Sequence, residues 1–438
     1  MALGGGTYTA QNKKLPGAYI NFVSAARATA SLSERGFAAM PLVLDWGESG
    51  GVFTVTQEDF IRNSSKIFGY DYTHEKMMGL RDLFKNAQTL YAYRLNTGVK
   101  AANTFGTAKH AGIRGNDIKI VVAANADNAE AFDVKTYLGT SLMDTQTVAA
   151  ASELAGNDYV DFKTDATLAL TASTPMTGGT NGAEVTGQDW QDALAALEKY
   201  SFNTLGCLTA TDTVKDLCIA YTKRMRDEVG VKFQCVVYKK ADADHEAAIS
   251  VENKLVGETT DAESASLIYW VTGAQAGCKV NKSCTNKVYD GEFEVDTNYT
   301  QMQLAAGLDE GKFMFHQVGE DVRVLEDINT LVTETEEKGA DFKSNQTIRV
   351  IDQIGNDIAV LFNTKYLGII PNNTSGRISL WNDIVKHHQE LQGIQAIENF
   401  TAEDVVVTQG NEKKAVVVDD AVEPVNAMAK LYMTCVIS

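Results

Sequence analysis

The sequence has few prolines, few cysteines and no long apolar run, and these shortages exclude several classes of protein. Only 5 of the 438 residues are proline, against 35 glycines, and the overall composition is typical of a soluble globular chain, not of a disordered one. The 6 cysteines are scattered, unlike the dense framework of a small secreted domain, so reduced and buried thiols are expected. No run approaches the ~18 apolar residues of a membrane span, and the N-terminus lacks the apolar core of a secretion signal, so export by a signal peptide is not expected.

Basic residues are also in short supply. Acidic residues outnumber them 57 to 39 and the formal net charge is -18, which disfavours nucleic acid and anionic membrane surfaces as partners. The charge is uneven, because the first 33 residues carry Lys13, Lys14 and Arg27 without an acid, whereas residues 398–423 hold seven acids and two lysines. The two ends could attract each other, or the charges are solvated on unrelated surfaces; both interpretations stay open.

The sequence lacks a recognisable catalytic or cofactor motif. The segment 307–313, GLDEGKF, has the wrong spacing for a phosphate-binding loop and no Ser or Thr after its lysine. A turn between a helix and a strand at 312–317 is predicted there instead. There is no G-x-S-x-G motif for a serine nucleophile, and none of the 6 histidines lies in a recognisable motif. We therefore predict that the protein is not an enzyme and needs no cofactor.

Metal binding is not expected at any of the three clusters that contain possible ligands. Cys278 and Cys284 have no second pair or histidine nearby, whereas a structural zinc site needs four ligands. His387 and His388 are adjacent, and neighbours in a helix point about 100° apart, so an exposed helix face is favoured. The acidic cluster at 242–246 lacks the spacing of a calcium loop and is interpreted as a solvated turn.

The length predicts two to four domains, some built from discontinuous segments, and the order of the elements indicates a multi-domain α/β protein. The chain opens with two strands that are predicted to pair, a helix and a third strand, at 36–44, 52–56, 74–86 and 89–95. Short Thr/Val/Ala-rich segments separated by Gly/Asn turns then predict a small β domain, with strands at 117–123, 132–138 and 159–172.

The second half alternates helices and strands, the pattern of a parallel sheet with covering helices, at 188–200, 204–208, 213–228 and 231–238. A final unit has two helices and two strands, at 341–364, 376–395, 405–408 and 415–420. The predicted domains are an N-terminal arm at 1–25, a core of 26–95 plus 320–426, a β-rich insertion at 96–184, an α/β domain at 185–319 and a C-terminal arm at 427–438.

Both chain ends alternate in polarity like β-strands but have no hairpin partner next to them in sequence. Residues 18–23 place Ala18, Ile20 and Phe22 on one side, and residues 427–438 alternate in the same way. Such strands have unpaired backbone groups and can add to the sheet of another subunit. Two unlike arms favour a head-to-tail contact, which generates rings or helical polymers; pairing of both arms within their own chain stays the alternative.

Several segments resemble contractile-tail sheath proteins of bacteriophages and phage-tail-like bacteriocins. The N-terminal arm carries GGTYTAQNK at 5–13 and LPGAYINF at 15–22. The first core strand and turn of the family are similar to RGFAAMPL at 35–42 and DWG at 45–47. The family's closing strand is similar to EPVNAMAKLYMT at 423–434. The order of the segments between these ends also fits, so the resemblance covers essentially the whole chain.

The resemblance implies a structural subunit that stacks as hexameric rings around an inner tube, with a subtilisin-like middle domain that is not a protease. The implied partners are further copies of this chain, the inner tail tube protein, and baseplate and tail terminator proteins. The implied location is a virion or phage-tail-like particle that is assembled in the bacterial host cytoplasm. The implied interchain strands contain Tyr19, Ile20, Asn21, Phe22, Met428, Lys430, Leu431, Tyr432, Met433 and Val436. The implied receiving strands contain Val405, Val406, Val407, Val416, Val417 and Val418.

One helix of the final unit is a candidate for the contact with the tube. It carries Arg377, Lys386, His387 and His388, and a basic face could meet an acidic partner. A solvated face is the alternative at this helix. For the whole chain, the alternatives are an α/β enzyme or ligand-binding protein, which would show a concave site, and a surface-layer protein, which would need an export route.

Overall fold

The computed structural model describes residues 32–437. The predicted strand at 18–23, which includes Tyr19, Ile20, Asn21 and Phe22, lies outside the described residues. Within them, the chain is a multi-domain protein of mixed helix and sheet, which confirms the predicted fold class.

The first unit surrounds strand β3. Its elements are β1 (Phe37–Leu42), β2 (Val52–Thr56), α1 (Gln57–Phe68), α2 (Met78–Phe84) and β3 (Thr89–Arg94). The predicted pairing of the first two strands is wrong: β1 pairs with β3 in parallel and β2 pairs with β3 antiparallel. Helix α1 was not predicted, although Thr56 and Asp59 form a capping box at its start.

Residues 96–181 form β-structure, as the sequence predicts. The strands are β4 (Gly106–Ala108), β5 (Ile118–Ala124), β6 (Phe132–Leu138), β7 (Ser141–Val148), β8 (Val160–Phe162) and β9 (Thr171–Pro175). The predicted strand at 159–172 is two strands that join different sheets, because β8 pairs with β4 and β9 pairs with β5. Trp46, from the β1–β2 connection, is fully buried in the core of this domain. The insertion is therefore packed onto the rest of the subunit.

The next segment completes the main sheet. Its elements are α3 (Gly187–Leu197), β10 (Thr204–Gly206), α4 (Asp212–Arg224), β11 (Gln234–Tyr238), β12 (Ala248–Val251), α5 (Asp261–Ser264), α6 (Leu267–Gly277), α7 (Gln301–Asp309), β13 (Lys312–Phe313), β14 (Phe315–Val318) and β15 (Asp321–Val324). The seven strands of the sheet have the order β13-β12-β11-β10-β1-β3-β2, parallel except for β2.

Both faces of this sheet are covered. Met40 and Val236 face a core that includes residues of α2 and α6, whereas Ala39 and Cys235 face a core that includes residues of α3 and α4. This alternation is what a parallel sheet between two helical layers requires. The sheet contains strands of 37–94 together with those of 204–313, whereas the sequence grouped 26–95 with 320–426, so the boundaries of the units stay a prediction.

The last unit packs two long helices on small strand pairs. Its elements are α8 (Asn345–Leu361), α9 (Thr374–Gly393), β16 (Ile397–Glu398), β17 (Val405–Gln409), β18 (Val416–Asp420) and β19 (Glu423–Pro424). Helix α8 is also joined to the α/β unit. Arg226 of the α/β unit makes a bidentate ion pair with Asp352 of α8, with distances of 2.6 and 2.7 Å. Both side chains are buried. This ion pair therefore attaches the last unit, with its strand pairs, to the α/β unit.

Candidate subunit-contact surface

The C-terminal tail, residues 427–437, leaves its large apolar side chains in solvent. No strand is assigned in this part of the described chain. The exposed fractions lie between 75% and 102% for Met428, Leu431, Tyr432, Met433, Val436 and Ile437. Isolated exposed apolar residues are ordinary, but a contiguous run of them marks a site that contacts another molecule. The tail is therefore the first component of the candidate contact surface.

The root of the tail is held by the start of α8. The Gln346 side chain donates to the carbonyl of Val425 at 2.9 Å and accepts from the amide of Ala427 at 2.9 Å. It thus pairs with the backbone on both sides of Asn426, as a neighbouring strand would. Asn426 also bonds the side chains of Ser344 and Thr347. These contacts fix the point at which the tail leaves the subunit.

The hairpin β17–β18 is the second component. Its five residue pairs run from Val405 opposite Asp420 to Gln409 opposite Val416. In the described part of the chain neither strand has a further partner, so each has a free edge. Val405 is buried, whereas Val406 and Val417 are about half exposed. The hairpin therefore combines one face that packs on the last unit with unpaired backbone groups that another strand can use.

Helix α9 holds the open end of this hairpin, where Val405 and Asp420 face each other. The indole N–H of Trp381 donates to the carbonyl of Val405 at 2.9 Å. About two helical turns further on, the Nε2 atom of His388 lies 2.9 Å from a carboxylate oxygen of Asp420. Neither contact was predicted from the sequence. The available signal was a Trp and a His seven residues apart, which lie on the same face of a helix.

The predicted exposure of His387 and His388 is wrong. They are 1% and 0% exposed, because α8 covers one ring and β18 covers the other. The Nε2 atom of His387 lies 3.0 Å from Asp357 on α8, and the two Nδ1 atoms are 3.3 Å apart. Both imidazoles therefore join elements inside the subunit and do not lie on its surface.

Asp357 links this histidine pair to the first described residues. Burial acts to raise the pKa of Asp357, but hydrogen bonds involving His387, Ser33 and Gln353 hold it below the ordinary value. Ser33 donates its hydroxyl to Asp357 at 2.5 Å. Arg35 donates to the carbonyl of Cys278 at 2.8 Å. The chain that follows the predicted N-terminal arm is thus fastened to α8 and to the end of α6.

The other two residues predicted to face the tube remain accessible. Arg377 is half-buried and donates to the side chain of Asn372 at 3.0 Å. Lys386 is exposed and lies 3.9 Å from Glu390. Next to Arg377, the turn that precedes α9 exposes Leu367 and Ile369. The surface around Arg377 therefore combines a basic side chain with apolar ones, whereas Lys386 lies on the opposite face of the helix.

Residues 32–437 contain no group of three or more His, Cys, Asp or Glu side chains that could hold a metal ion. The acidic cluster at 242–246 is used in ordinary contacts: Asp244 accepts from the amides of Val332 and Thr333 at 2.8 and 2.9 Å, and Glu246 bonds Lys338 at 2.7 Å. None of the helices in the described range is long and apolar enough to cross a membrane.

Family models match four consecutive segments of the chain. A phage tail sheath β-sandwich domain matches residues 96–181, a phage tail sheath central domain matches 183–330 and a phage tail sheath C-terminal domain matches 337–438. The segment 35–95 matches the N-terminal region of domain III of a tail sheath protein. The β-sandwich match confirms the predicted β domain.

Similar proteins cover almost the whole chain. The phage-like element PBSX protein XkdK of Bacillus subtilis is 33% identical, over 98% of this chain and 99% of that protein. A crystal structure of a sheath tail protein from Desulfitobacterium hafniense is 37% identical, with a TM-score of 0.82 over 94% of this chain and 97% of that one. The contracted helical sheath of the anti-feeding prophage has a TM-score of 0.56 at 13% identity, over 96% of this chain and 99% of that one, which shows a shared fold.

Proposed function

This chain belongs to the phage tail sheath protein family, and we propose that it is the structural subunit of a contractile sheath around an inner tail tube. In this proposal the subunits polymerise head to tail as stacked hexameric rings, and baseplate and tail terminator proteins bind at the two ends of the stack. Assembly takes place in the bacterial host cytoplasm. The role is mechanical, without catalysis.

The exposed tail carries this proposal. Its apolar side chains are in solvent and its backbone has no strand partner among residues 32–437, while β17 and β18 each have a free edge. The tail of one copy supplies the donors and acceptors that a hairpin edge of another copy needs. Met428 to Val436 then pair with the segments 405–407 and 416–418 of a neighbour, and Tyr19 to Phe22 of the N-terminal arm add a second such strand.

Contraction follows from the geometry of these links. An extended strand that joins two subunits fixes their distance along the chain but leaves the orientation of their compact bodies free. We expect the extended sheath to be metastable, with contacts between bodies that grow on contraction and release about 25 cal/mol per Å² of apolar surface buried. This release drives the tube through a bacterial envelope. Calorimetry of triggered particles at several temperatures should show a heat of shortening that becomes more negative as the temperature rises, because burial of apolar surface has a negative heat-capacity change. A heat of shortening that does not change with temperature would contradict this source of the stored free energy.

The tube contact is assigned to Arg377 and Lys386, without the two buried histidines. Both side chains reach the surface at α9. Arg377 and Lys386 are nine residues apart and lie on opposite faces of α9, so they are tested singly. At least one of Arg377→Glu and Lys386→Glu should reduce co-sedimentation of sheath with tubes, because it reverses a charge at the contact. Lys199→Glu, at an exposed position in the α/β unit, is the matched control. Tube binding by both of these variants at the level of Lys199→Glu would reject the assignment.

Strand exchange can be tested at single backbone groups. Leu431→Pro and Tyr432→Pro each remove one amide donor, and successive amides point to opposite edges of a strand. At least one of the two variants should therefore fail to form striated tubes or ring stacks in negative-stain micrographs. Leu431→Val keeps the amide and an apolar side chain, so it should polymerise like the unaltered chain. Normal tubes from both proline variants would rule out pairing through this part of the tail.

A further inference from the structure

The thiols of Cys278 and Cys284 lie together at the end of α6. The backbone amide of Cys278 donates to the carbonyl of Ala274 at 3.0 Å, and the Sγ atom of Cys284 lies 3.7 Å from the same carbonyl oxygen. The Sγ atom of Cys278 lies 3.4 Å from the carbonyl of Lys282 in the loop between them. Each sulfur atom thus contacts a backbone carbonyl of the same short stretch, Cys284 at the last turn of α6 and Cys278 in the loop that follows it.

Three parts of the subunit meet at this loop. Arg35 donates to the carbonyl of Cys278 at 2.8 Å, and Arg349 of α8 donates to the carbonyl of Lys282 at 3.3 Å. Asn281 donates to the carbonyl of Ile394, just beyond α9, at 2.7 Å. The loop 278–284 therefore joins the α/β unit both to the start of the described chain and to the last unit.

The environment gives the two thiols different roles. A hydrogen bond from Cys284 is the main cause that lowers the pKa of Cys278 to about 7; burial opposes it, and Arg349 and Arg35 support it. The same hydrogen bond, together with burial, raises the pKa of Cys284. Cys278 is partly exposed, whereas Cys284 is 1% exposed. A thiolate that reagents can reach thus lies beside a protected thiol.

We infer that Cys278 and Cys284 are a redox-sensitive dithiol that closes to a disulfide when the protein meets a small-molecule disulfide oxidant. The Cys278 thiolate attacks one sulfur of the oxidant, which forms a mixed disulfide and releases the first small thiolate. Cys284 gives its proton to solvent and attacks the sulfur of Cys278, which releases the second small thiolate. Two protein thiols are oxidised by two electrons and one small disulfide is reduced to two thiols.

The bond would close a short loop at the joint between the units. Both thiols stay reduced in a cytosol and become oxidised once the protein leaves it. The carbonyls of Cys278 and Lys282, which accept from the two arginines, would then be held by a covalent ring. Oxidation is thereby coupled to the stiffness of this joint, whether or not the proposed contraction takes place.

The experiment uses the full chain with Cys435→Ser, which removes the exposed cysteine of the tail. Native protein is incubated with glutathione disulfide, alkylated and digested with trypsin without reductant. Cleavage after Lys279 and Lys282 should leave peptides 255–279 and 283–287 joined by a disulfide. In the Cys284→Ser variant the reaction should stop at a glutathione adduct on Cys278. In the Cys278→Ser variant neither product should form.

The pH dependence gives a second readout. A thiol with a pKa of about 7 is already half ionised at pH 7, so the rate of the first step, measured as the loss of the free Cys278 thiol, should rise only about twofold between pH 7 and 8.5. In urea the same chain should show the roughly 15-fold rise of an ordinary thiol with a pKa of about 8.5. Native protein that yields no joined peptide, separate adducts on both cysteines, or the same pH profile as the urea sample would overturn the inference.

Discussion

Helix α8 and the C-terminal tail are in contact at Gln346. Helix α8 buries many of its side chains inside the subunit, whereas the tail exposes its large apolar side chains to solvent. Arg349 of α8 is 1% exposed and bonds Asp327, Gln275 and a loop carbonyl within the subunit, with a distance of 2.6 Å to the carboxylate. The tail, by contrast, leaves six large apolar side chains in solvent. Stability of the folded subunit and stability of the polymer therefore depend on different segments, so substitutions should separate the two properties.

The largest effect is expected at the buried ion pair. Arg349→Met leaves the Asp327 carboxylate buried without its cation, which should lower the free energy of unfolding by about 3–5 kcal/mol. The measurement is urea unfolding of the isolated subunit. The matched control is Arg224→Met, which breaks the partly exposed pair with Glu198 and should cost about 1 kcal/mol or less. Equal stability of the two variants would mean that the buried pair contributes no more to the free energy of unfolding than the partly exposed one.

A smaller loss is expected where the two regions join. Gln346→Leu leaves the carbonyl of Val425 and the amide of Ala427 without their partner, which should cost about 1–3 kcal/mol. Gln346→Glu keeps an acceptor for the amide of Ala427 but loses the donor to the carbonyl of Val425. Its free energy of unfolding should therefore lie between those of the unaltered chain and of Gln346→Leu. Hydrogen exchange at the amide of Ala427 should quicken in the Leu variant and stay slower in the Glu variant. Unchanged exchange in both would show that Gln346 does not hold the tail.

The carboxylate of Asp357, near the C-terminal end of α8, should make the contribution of this helix to the free energy of unfolding depend on pH. The pKa of Asp357 is lowered in the folded state, so its contribution is present above the unfolded pKa of about 4 and is lost as the pH falls below it. Asp357→Asn should therefore cost about 1–2 kcal/mol at pH 7, and the difference from the unaltered chain should shrink towards pH 3. The control is Asn382→Ala, at an exposed position of α9, which changes no ionisable group and should therefore show no such dependence. A constant difference at all pH values would contradict the assignment of the shift.

The sequence predicts some of this contrast and misses the rest for physical reasons. Segments with a clear period were located within a few residues, such as the strand at 132–138 and the helix at 376–395. Contacts between segments distant in sequence were not predicted. The prediction paired β1 with β2, the next strand along the chain, whereas the partners of β1 are β3 and β10. The two histidines were placed on a surface because the helix alone gives no sign that α8 and β18 cover them. The alternation of the tail indicates a strand but does not identify its partner.

The smallest effect is expected when the tail itself is removed. Deletion of residues 428–438 takes away large apolar side chains that bury almost no surface in the subunit, while the bonds from Gln346 to Val425 and Ala427 remain. The free energy of unfolding should therefore change by no more than about 0.5 kcal/mol, the range of surface substitutions. The same deletion should abolish striated tubes in micrographs, whereas Arg349→Met should still assemble under conditions where it stays folded. A truncated subunit that loses stability on the scale of Arg349→Met would mean that the tail folds onto its own chain, and the division between the two regions would fail.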